Sequence, residues 1–419
     1  MKLLKNKLFT IEKVIFYLLI AFLPSQLGYH FWPDYSFIFG IRVDYLSPTI
    51  FFTDILFFIL FSFFVFRQKV NGLEILKKYK VYVFLFLIFA VLNSLKSVAP
   101  LGALYKWLKI VEMLLLGFYV SKNLALVKDK IFVRVLSLSL IVISLLGISQ
   151  FLLGKTLGGI SYFIGERTFN SSTPGIALQT INGHDYLRAY SSFSHPNSFA
   201  GYLLIGILLF LLVRPKRNIL TDASVLFSVI AFALTFSLAA FMASTAAFVI
   251  FVLLRDRVLN YSKALIGGLF LFSFAMAFVP QYLIHGNYFN RPEVSERVEL
   301  VTISKKMFLQ SPIIGKGLNT FVINLPSVKP DNSYFWFLQP VHNILWLLLS
   351  ETGIVGIYLF LYFIFRLNET FIVNKNKIGF IMLFVILFIG TFDHYFLSLQ
   401  QNMLSISVAL AAAFSLKKA

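Results

Sequence analysis

The sequence predicts an all-α, polytopic integral membrane protein, and two observations lead to that prediction. Hydrophobic residues make up 58% of the 419 residues and charged residues 13%, whereas a soluble domain is about half apolar and about a quarter charged. Apolar runs of span length recur, such as SPTIFFTDILFFILFSFFVF over residues 47–66. Lipid offers the backbone no hydrogen-bond partners, so such runs form helices or a closed barrel, and the strict alternation of a barrel is absent.

The apolar runs indicate about twelve membrane spans. They begin near Ile11, Ser47, Val81, Leu101, Ile131, Ser198, Ile219, Leu238, Ala264, Ile344, Ile378 and Leu397. The N-terminal run starts like a signal peptide but lacks a small-residue cleavage site, so we interpret it as an uncleaved first span. Residues 1–419 are predicted to form a single membrane domain.

The positions of Lys and Arg predict the orientation. Short basic segments alternate along the chain, and the positive-inside rule assigns them to the cytoplasm. Both termini then lie inside the cell, and the protein is predicted to reside in the inner (plasma) membrane. These segments and the lipid headgroups explain the net charge of +19, so membrane lipids are expected partners and nucleic acid is not.

Two long connections fall on the predicted extracytoplasmic face, over residues 154–197 and 281–343. Connections of that length usually carry function. Apolar positions in VSERVELVTISKKMFLQSPIIG predict a short amphipathic helix within the second connection, ended by Pro312 and Gly315. All six histidines also fall on this face: His30, His184, His195, His285, His342 and His394. The longer outer loops would explain that by themselves, but grouped imidazoles are also suited to proton transfer.

The most specific pattern is PVHNILWLLLSETGIVG. His342 and Asn343 enter a span, and Gly353 and Gly356 follow on one helix face, where small residues permit close helix packing. His342 is a candidate catalytic residue, and a helix-entry histidine at the headgroup level is the alternative.

Two further stretches hold candidate phosphate-binding residues. In RAYSSFSHPNSFAGYLL, Arg188 precedes His195-Pro196-Asn197, which also reads as an ordinary helix entry. Arg297 lies in the second long connection, ahead of Lys316 in a Gly-Lys-Gly turn. Guanidinium groups bind phosphate through paired hydrogen bonds, so Arg188 and Arg297 could hold a diphosphate.

Several charged residues lie inside or at the ends of the predicted spans. Lys106, Lys109 and Glu112 share one helix face, where Lys109 and Glu112 could pair and Lys106 could snorkel outwards. Asp54 and the Asp393-His394 pair could line one outer cavity. Cysteine is absent, and no metal, nucleotide or nucleophilic-serine motif is found. The sequence therefore predicts no metal site and no cofactor.

At these residues the chain resembles the O-antigen ligase and Wzy-type polymerase superfamily. His342-Asn343 followed by Gly353-x-x-Gly356 matches its His-[Asn/Ser/Gln]-x9-Gly-x-x-Gly pattern, and Arg188 with His195-Pro196-Asn197 matches its arginine before a helix entry. The segment from Pro312 to Phe321 looks like the family's Pro-x-x-Gly-x-Gly…Phe segment. Two positions depart from the family: Val301 replaces the leucine of Arg-x3-Leu, and Leu238 follows Ser237 where relatives often carry arginine.

The resemblance implies a fold like the GT-C membrane glycosyltransferases and a polyprenyl-diphosphate-linked glycan donor, used without metal. By that resemblance, Arg188 and Arg297 would hold the diphosphate and His342 would act on the acceptor. Asn343, Gly353, Gly356, His195, Asn197, Lys316, Asp393 and His394 would support them. The acceptor could be a glycan, a lipid or a protein, so ligase, polymerase and protein glycosyltransferase remain open. A transporter or flippase for the same lipid, and a non-catalytic scaffold, are the alternatives from other classes.

Overall fold

Helices dominate the part of the chain that the computed structural model describes, which is residues 2–68, 74–275, 278, 292–328 and 338–416. The α-helices are α1 (Lys2–Phe22), α2 (Phe52–Gln68), α3 (Glu74–Leu95), α4 (Pro100–Lys122), α5 (Leu124–Val127), α6 (Lys130–Leu153), α7 (Pro196–Val213), α8 (Ile219–Leu234), α9 (Leu238–Leu254), α10 (Ser262–Ala275), α11 (Pro292–Gln310), α12 (Phe321–Val328), α13 (Ile344–Val373), α14 (Lys377–Gly390), α15 (Tyr395–Ser398) and α16 (Gln400–Ser415).

The predicted apolar runs each contain a helix. Among the described residues, α6, α7 and α13 are long and apolar enough to cross a membrane, judged by length and composition. The helices α8, α9, α10 and α14 are apolar but shorter. The all-α membrane class is thus confirmed. The count of about twelve spans, the orientation and the single domain remain predictions.

Polar caps set where several of these helices begin. Asp129 accepts a hydrogen bond from Ile131 N at the start of α6, and Asn376 accepts one from Gly379 N at the start of α14. Asn218 and Thr221 form a reciprocal capping box at the start of α8. A side-chain acceptor satisfies amide groups that have no partner within the helix. Local polar residues therefore help to set the helix starts within an apolar sequence.

Helix α7 lies at the centre of the protein, because it contributes to both large apolar clusters. One cluster joins it to α1, α2, α4, α6 and α16, and the other joins it to α9, α10, α13 and α14. Large apolar side chains also point outwards: Phe58, Leu152, Leu253 and Leu271 are 73–75% exposed. In a membrane these outward faces contact lipid rather than water.

Short strands interrupt the helical fold in its connections, which the all-α prediction missed. They are β1 (Gly28–His30), β2 (Phe37–Ile38), β3 (Ile41–Arg42), β4 (Thr49–Phe51), β5 (Leu178–Ile181) and β6 (His184–Leu187), paired antiparallel as β1–β4, β2–β3 and β5–β6. Asn182 and Gly183 join β5 to β6 with φ of 51° and 81°, as a type I′ turn requires. Strands of two to four residues are too short to show apolar alternation.

The two long connections differ in how much of them the structure describes. Residues 154–195 between α6 and α7 are described throughout and include the β5–β6 hairpin. The connection between α10 and α13 contains α11 and α12, and α11 covers the stretch for which a short helix was predicted. Residues 279–291, which include His285, and residues 329–337 lie outside the described part.

Candidate functional site

Three of the six histidines meet where α7, α13 and the α14–α15 connection come together. The rings of His342 and His394 lie 5.3 Å apart, centroid to centroid. One nitrogen from each ring and one carboxylate oxygen of Asp393 lie within 4.8 Å of one another. His195 completes the group, since the charges of Asp393 and His394 act on its pKa. We call His195, His342, Asp393 and His394 the imidazole–carboxylate cluster.

His30 and His184, which the structure also describes, lie outside this cluster. His30 contacts the hydroxyls of Ser47 and Thr49 and stacks on Trp32. His184 is exposed in the β5–β6 hairpin. The sequence predicted that all six histidines lie on one face. Among the five that the structure describes, three belong to the cluster and two lie apart from it.

A line of hydrogen bonds connects Arg188 to the cluster. Its Nη2 donates to Asn197 Oδ1 at 2.8 Å, and Asn197 Nδ2 donates to Asp393 Oδ2 at 2.9 Å. Arg188 Nε also donates to the carbonyl of Thr235 at 2.6 Å. Asn197 lies in the first turn of α7, so the start of this helix supplies the link between Arg188 and Asp393. The bonds orient the Asp393 carboxylate towards the imidazoles.

Two cluster neighbours are helix caps. His195 is the N-cap of α7, and its Nδ1 accepts a hydrogen bond from Asn197 N at 3.2 Å. Asn343 is the N-cap of α13, where its Oδ1 accepts from Trp346 N and from the Ser273 hydroxyl. Its Nδ2 also donates to the Thr391 carbonyl at 3.3 Å. Asn343 thereby ties α10, α13 and the end of α14 together beside His342.

Gly353 acts differently from the close helix packing that the spacing of Gly353 and Gly356 suggested. Gly353 has φ 64° and ψ −164°, so α13 is kinked there. The segment 312–317 lies along the kink and satisfies its backbone: Ile354 N donates to Pro312 O at 2.8 Å, and Gly317 N donates to Glu351 O at 2.9 Å. Glycine is required because a Cβ at 353 would meet Ile313 O at 2.4 Å.

Glu351 anchors the same joint from inside α13. Its carboxylate accepts hydrogen bonds from Asn319 N at 2.8 Å and Phe321 N at 3.0 Å, which caps α12. Asn319 Nδ2 donates to the Tyr45 carbonyl, and the Tyr45 ring packs 5.5 Å from the His394 ring. Sequence reasoning missed Glu351 and Tyr45. An acidic residue within an apolar run is the signal that could have found Glu351.

The sequence analysis also singled out Lys316 as a supporting residue and Leu238 as a departure from the family. Lys316 is half-buried, and its backbone N–H donates to the Ser350 carbonyl at 2.9 Å. Ser350 is six residues beyond Ile344, so this contact lies about 9 Å along α13 from its start. Leu238 begins α9 and is 70% exposed, so that position supplies no cation to the site.

Arg297 lies on α11 with an exposed side chain. Its positive charge contributes to lowering the pKa values of His195, His342 and His394, so it lies within electrostatic range of the cluster. The charge of Arg188 acts on the pKa of His195 in the same direction. Two guanidinium groups, one on α11 and one in the segment between β6 and α7, thus act on His195, and together they favour an anion beside it.

A comparison with protein families identifies the domain around these residues. Residues 223–361 match the family model Wzy_C, described as O-antigen ligase. The chain carries a Wzy_C domain. The matched range contains Arg297, His342, Gly353 and Gly356, so the resemblance seen in the sequence is confirmed there. No curated protein matches the chain.

The Wzy_C match supports a membrane enzyme that ligates or polymerises glycans. The match ends before Asp393 and His394 and begins after Arg188, His195 and Asn197. Three of the four cluster members, all but His342, therefore come from segments outside the matched range.

Burial determines the charge state of the cluster. It lowers the pKa of His195 and of His394 to about 4 and also lowers that of His342. Burial alone would raise the pKa of Asp393, but the nearby imidazoles and the Asn197 hydrogen bond outweigh it and lower that pKa. At neutral pH the cluster thus holds neutral imidazoles beside one carboxylate, a state suited to accepting a proton.

The same three groups could also hold a metal ion. Two imidazole nitrogens and a carboxylate oxygen are ligands that zinc accepts, and His342, Asp393 and His394 offer them within 4.8 Å. The absence of a metal site remains a prediction from the sequence.

Acidification should destabilise the folded protein through His394. Its pKa is about 4 in the folded state and about 6.5 in an unfolded chain. Lowering the pH from 7 to 5 therefore protonates His394 mainly in the unfolded state. This lowers the free energy of unfolding by about 2 kcal/mol. The lowered pKa of Asp393 acts only below about pH 4.

We expect the melting temperature to fall by a few degrees between pH 7 and pH 5, and to fall less in His394→Gln. The matched control, His184→Gln, changes an exposed imidazole and should keep the wild-type slope. Equal slopes in all three proteins would contradict the prediction.

The charged side chains of α4 bond to other groups within the protein. The Lys109 ammonium pairs with Asp54 and, at 3.5 Å, with Glu112. Asp54 also accepts a hydrogen bond from Gln400, so it belongs to this group rather than to the cavity of Asp393 and His394. Lys106 does not snorkel outwards: it is buried, and its Nζ donates to the Ser398 carbonyl at 2.8 Å.

Proposed function

We propose that this protein is an inverting glycosyltransferase. It moves a glycan from a polyprenyl-diphosphate donor to an acceptor hydroxyl on the extracytoplasmic face of the membrane. The observation that carries the proposal is the grouping of the His342 and His394 imidazoles and the Asp393 carboxylate, whose ligand atoms lie within 4.8 Å of one another.

The chemical step needs a base for the acceptor. The acceptor hydroxyl gives its proton to the His342 imidazole, and its oxygen attacks the anomeric carbon. The bond from that carbon to the diphosphate oxygen breaks, and its electron pair stays on the diphosphate. A single displacement inverts the anomeric centre. Asp393 stabilises the imidazolium that forms, and Asn197 holds Asp393 in place.

Arg188 and Arg297 are proposed to bind the diphosphate. Arg297 is exposed and available to an incoming anion, whereas Arg188 is half-buried and already oriented by Thr235 and Asn197. Negative charge grows on the diphosphate as the glycosidic bond breaks, so prepositioned cations stabilise the transition state more than the ground state.

Donor binding would also strengthen the base. Burial and the charge of Arg297 both keep the pKa of His342 low. A bound diphosphate brings negative charge to this position, and a nearby opposite charge favours the protonated imidazole. The basicity of His342 would therefore rise when the donor is present, which couples proton transfer to donor binding.

An apolar cavity beneath the cluster supports a lipid donor. Its volume is about 530 Å³, and α3, α4, α10, α13, α14 and α16 contribute to its wall. The α4 wall runs from Trp107 to Ser121, about 21 Å along the helix. Thr391 and Leu397, which also line the cavity, are within three residues of Asp393 and His394. Such a cavity suits a segment of isoprenoid chain whose diphosphate reaches the arginines.

Purified protein with a polyprenyl-diphosphate glycan and an acceptor tests the proposal. Wild type should release polyprenyl diphosphate and form product, including in the presence of EDTA. Arg297→Ala should raise the donor KM about tenfold or more, since a charge-assisted hydrogen bond contributes about 1.5–3 kcal/mol.

The matched control is Arg217→Ala, an exposed arginine that pairs with Asp222 at the start of α8. It should retain the wild-type KM. Release of no diphosphate by wild type, or an equal KM in Arg297→Ala, would reject the proposed role. A ladder of product lengths would identify a polymerase and one transferred chain a ligase.

The transporter alternative has less support. Its motivation was charge inside the membrane, and Lys109 pairs there with Asp54 and Glu112 while Lys106 bonds to a backbone carbonyl. Movement of the lipid across proteoliposomes without covalent change would favour a transporter over the enzyme.

A further inference from the structure

Lys106 is a buried cation that the proposed reaction does not use. Its side chain is 7% exposed, and among the described residues no carboxylate lies within 4 Å of its ammonium. The ammonium donates to the Ser398 carbonyl at 2.8 Å and contacts Met403 Sδ at 3.6 Å. Burying a basic side chain is unfavourable unless its nitrogen is bonded, so the role of Lys106 is expected to depend on these contacts.

The contact places Lys106 at the end of α15. This helix has four residues, begins directly after His394 and ends at Ser398. A single turn is not stable by itself, so its position depends on what holds its ends. Asp393 accepts the His394 N–H before the first turn, and Lys106 binds the last carbonyl, where the helix dipole favours a cation.

Ser398 connects the end of α15 to the imidazole–carboxylate cluster. Its hydroxyl lies 2.7 Å from His394 Nδ1 and 3.1 Å from the His394 carbonyl. The His394 ring is therefore held by the residue whose carbonyl Lys106 holds. On its other side the ring faces His342 at 5.3 Å and Tyr45 at 5.5 Å. A shift of α15 would move this ring relative to the base.

We propose that Lys106 is a positioning residue: it fixes the end of α15, and through the Ser398 hydroxyl it fixes the His394 imidazole beside His342. A neutral donor would make a weaker bond to that carbonyl than an ammonium does. Lys106 touches neither the proposed substrate nor the reacting atoms. For turnover the inference rests on the proposed function, but the ring position is measurable without substrate.

The variants that test this are Lys106→Met, Lys106→Arg and Ser398→Ala, with Lys122→Met as the matched control at the other end of α4. Lys106→Met keeps an apolar chain of similar length and removes the charged donor. Ser398→Ala removes the hydroxyl and keeps the carbonyl, so it remains informative where Lys106→Met fails to fold. Melting temperatures identify variants that have lost the fold.

Spectra of protein labelled with ¹⁵N-histidine provide the first readout, because only six imidazoles contribute. Lys106→Met and Ser398→Ala should shift the Nδ1 resonance of His394 in the same direction, and Lys106→Arg should partly restore it. Lys122→Met should leave it unchanged. An unshifted His394 resonance in folded Lys106→Met would overturn the inference.

Turnover of the lipid-linked glycan provides the second readout. Lys106→Met should lose about 10- to 100-fold, as substitutions of supporting residues around active sites do. The double variant with Ser398→Ala should lose no more than Lys106→Met alone, because both act through one contact. Additive losses would overturn the inference. If wild type transfers no glycan, the proposed function fails, and the histidine resonances still decide the role of Lys106.

Discussion

The His342→Ala variant is expected to lose about 10²- to 10⁴-fold in turnover, the range that a positioned general base contributes. The imidazole is held at the start of α13 by the Asn343 cap and lies beside the Asp393 carboxylate. Removing the ring takes away the proton acceptor and leaves the two arginines in place. The donor KM should therefore change much less than kcat. Turnover of a polyprenyl-diphosphate glycan under saturating donor measures the effect.

His184→Ala is the matched control, because it removes an imidazole from an exposed hairpin and should retain wild-type turnover. His394→Ala provides a second comparison inside the cluster. If His342→Ala retained turnover within about twofold while His394→Ala lost it, the base would be His394 and the assignment of His342 would be wrong.

The Gly353→Ala variant should be severely destabilised, by about 3 kcal/mol or more. Gly353 has φ 64°, a conformation that L-residues rarely adopt, and a Cβ would meet the Ile313 carbonyl oxygen at 2.4 Å. The segment opposite has the same restriction, since a Cβ at Gly315 would meet the Glu351 carbonyl carbon at 2.3 Å. Backbone strain and overlap with backbone atoms act together and neither yields easily.

Melting temperature and yield of folded protein measure this effect, and Gly315→Ala should behave alike. Gly267→Ala and Gly268→Ala are matched controls in α10, where an added Cβ has no atom within 4 Å. Alanine is the better helix former, so these controls should melt at or above the wild-type temperature. A Gly353→Ala protein that melts with the controls would show that the kink tolerates a side chain.

The position of this joint explains why the effect should reach the site. Segment 312–317 bonds to the kink, Glu351 caps α12, and Asn319 reaches the Tyr45 carbonyl. Tyr45 packs on His394. Gly353 therefore supports the imidazole–carboxylate cluster through a chain of contacts between these segments.

The sequence alone determined the features that composition and local spacing specify. Sparse charge and repeated apolar runs predicted an all-α membrane protein, and His342, Asn343, Gly353 and Gly356 identified the family pattern. Arg188 and Arg297 were selected because guanidinium groups bind phosphate, and Asp393 and His394 because they lie at the end of a predicted span. The helix entry predicted at His195-Pro196-Asn197 and the charges of α4 also have counterparts in the structure.

The tertiary structure alone decided which of these residues meet. His195, His342 and His394 are up to 199 residues apart in the chain, and no local pattern encodes the packing that joins them. The same packing left His30 and His184 apart from the cluster and placed Lys316 at the kink of α13. It also buried Lys106, which bonds to the Ser398 carbonyl. Spacing along one helix constrains neighbours within a turn, whereas contacts between distant helices depend on the complementarity of whole faces.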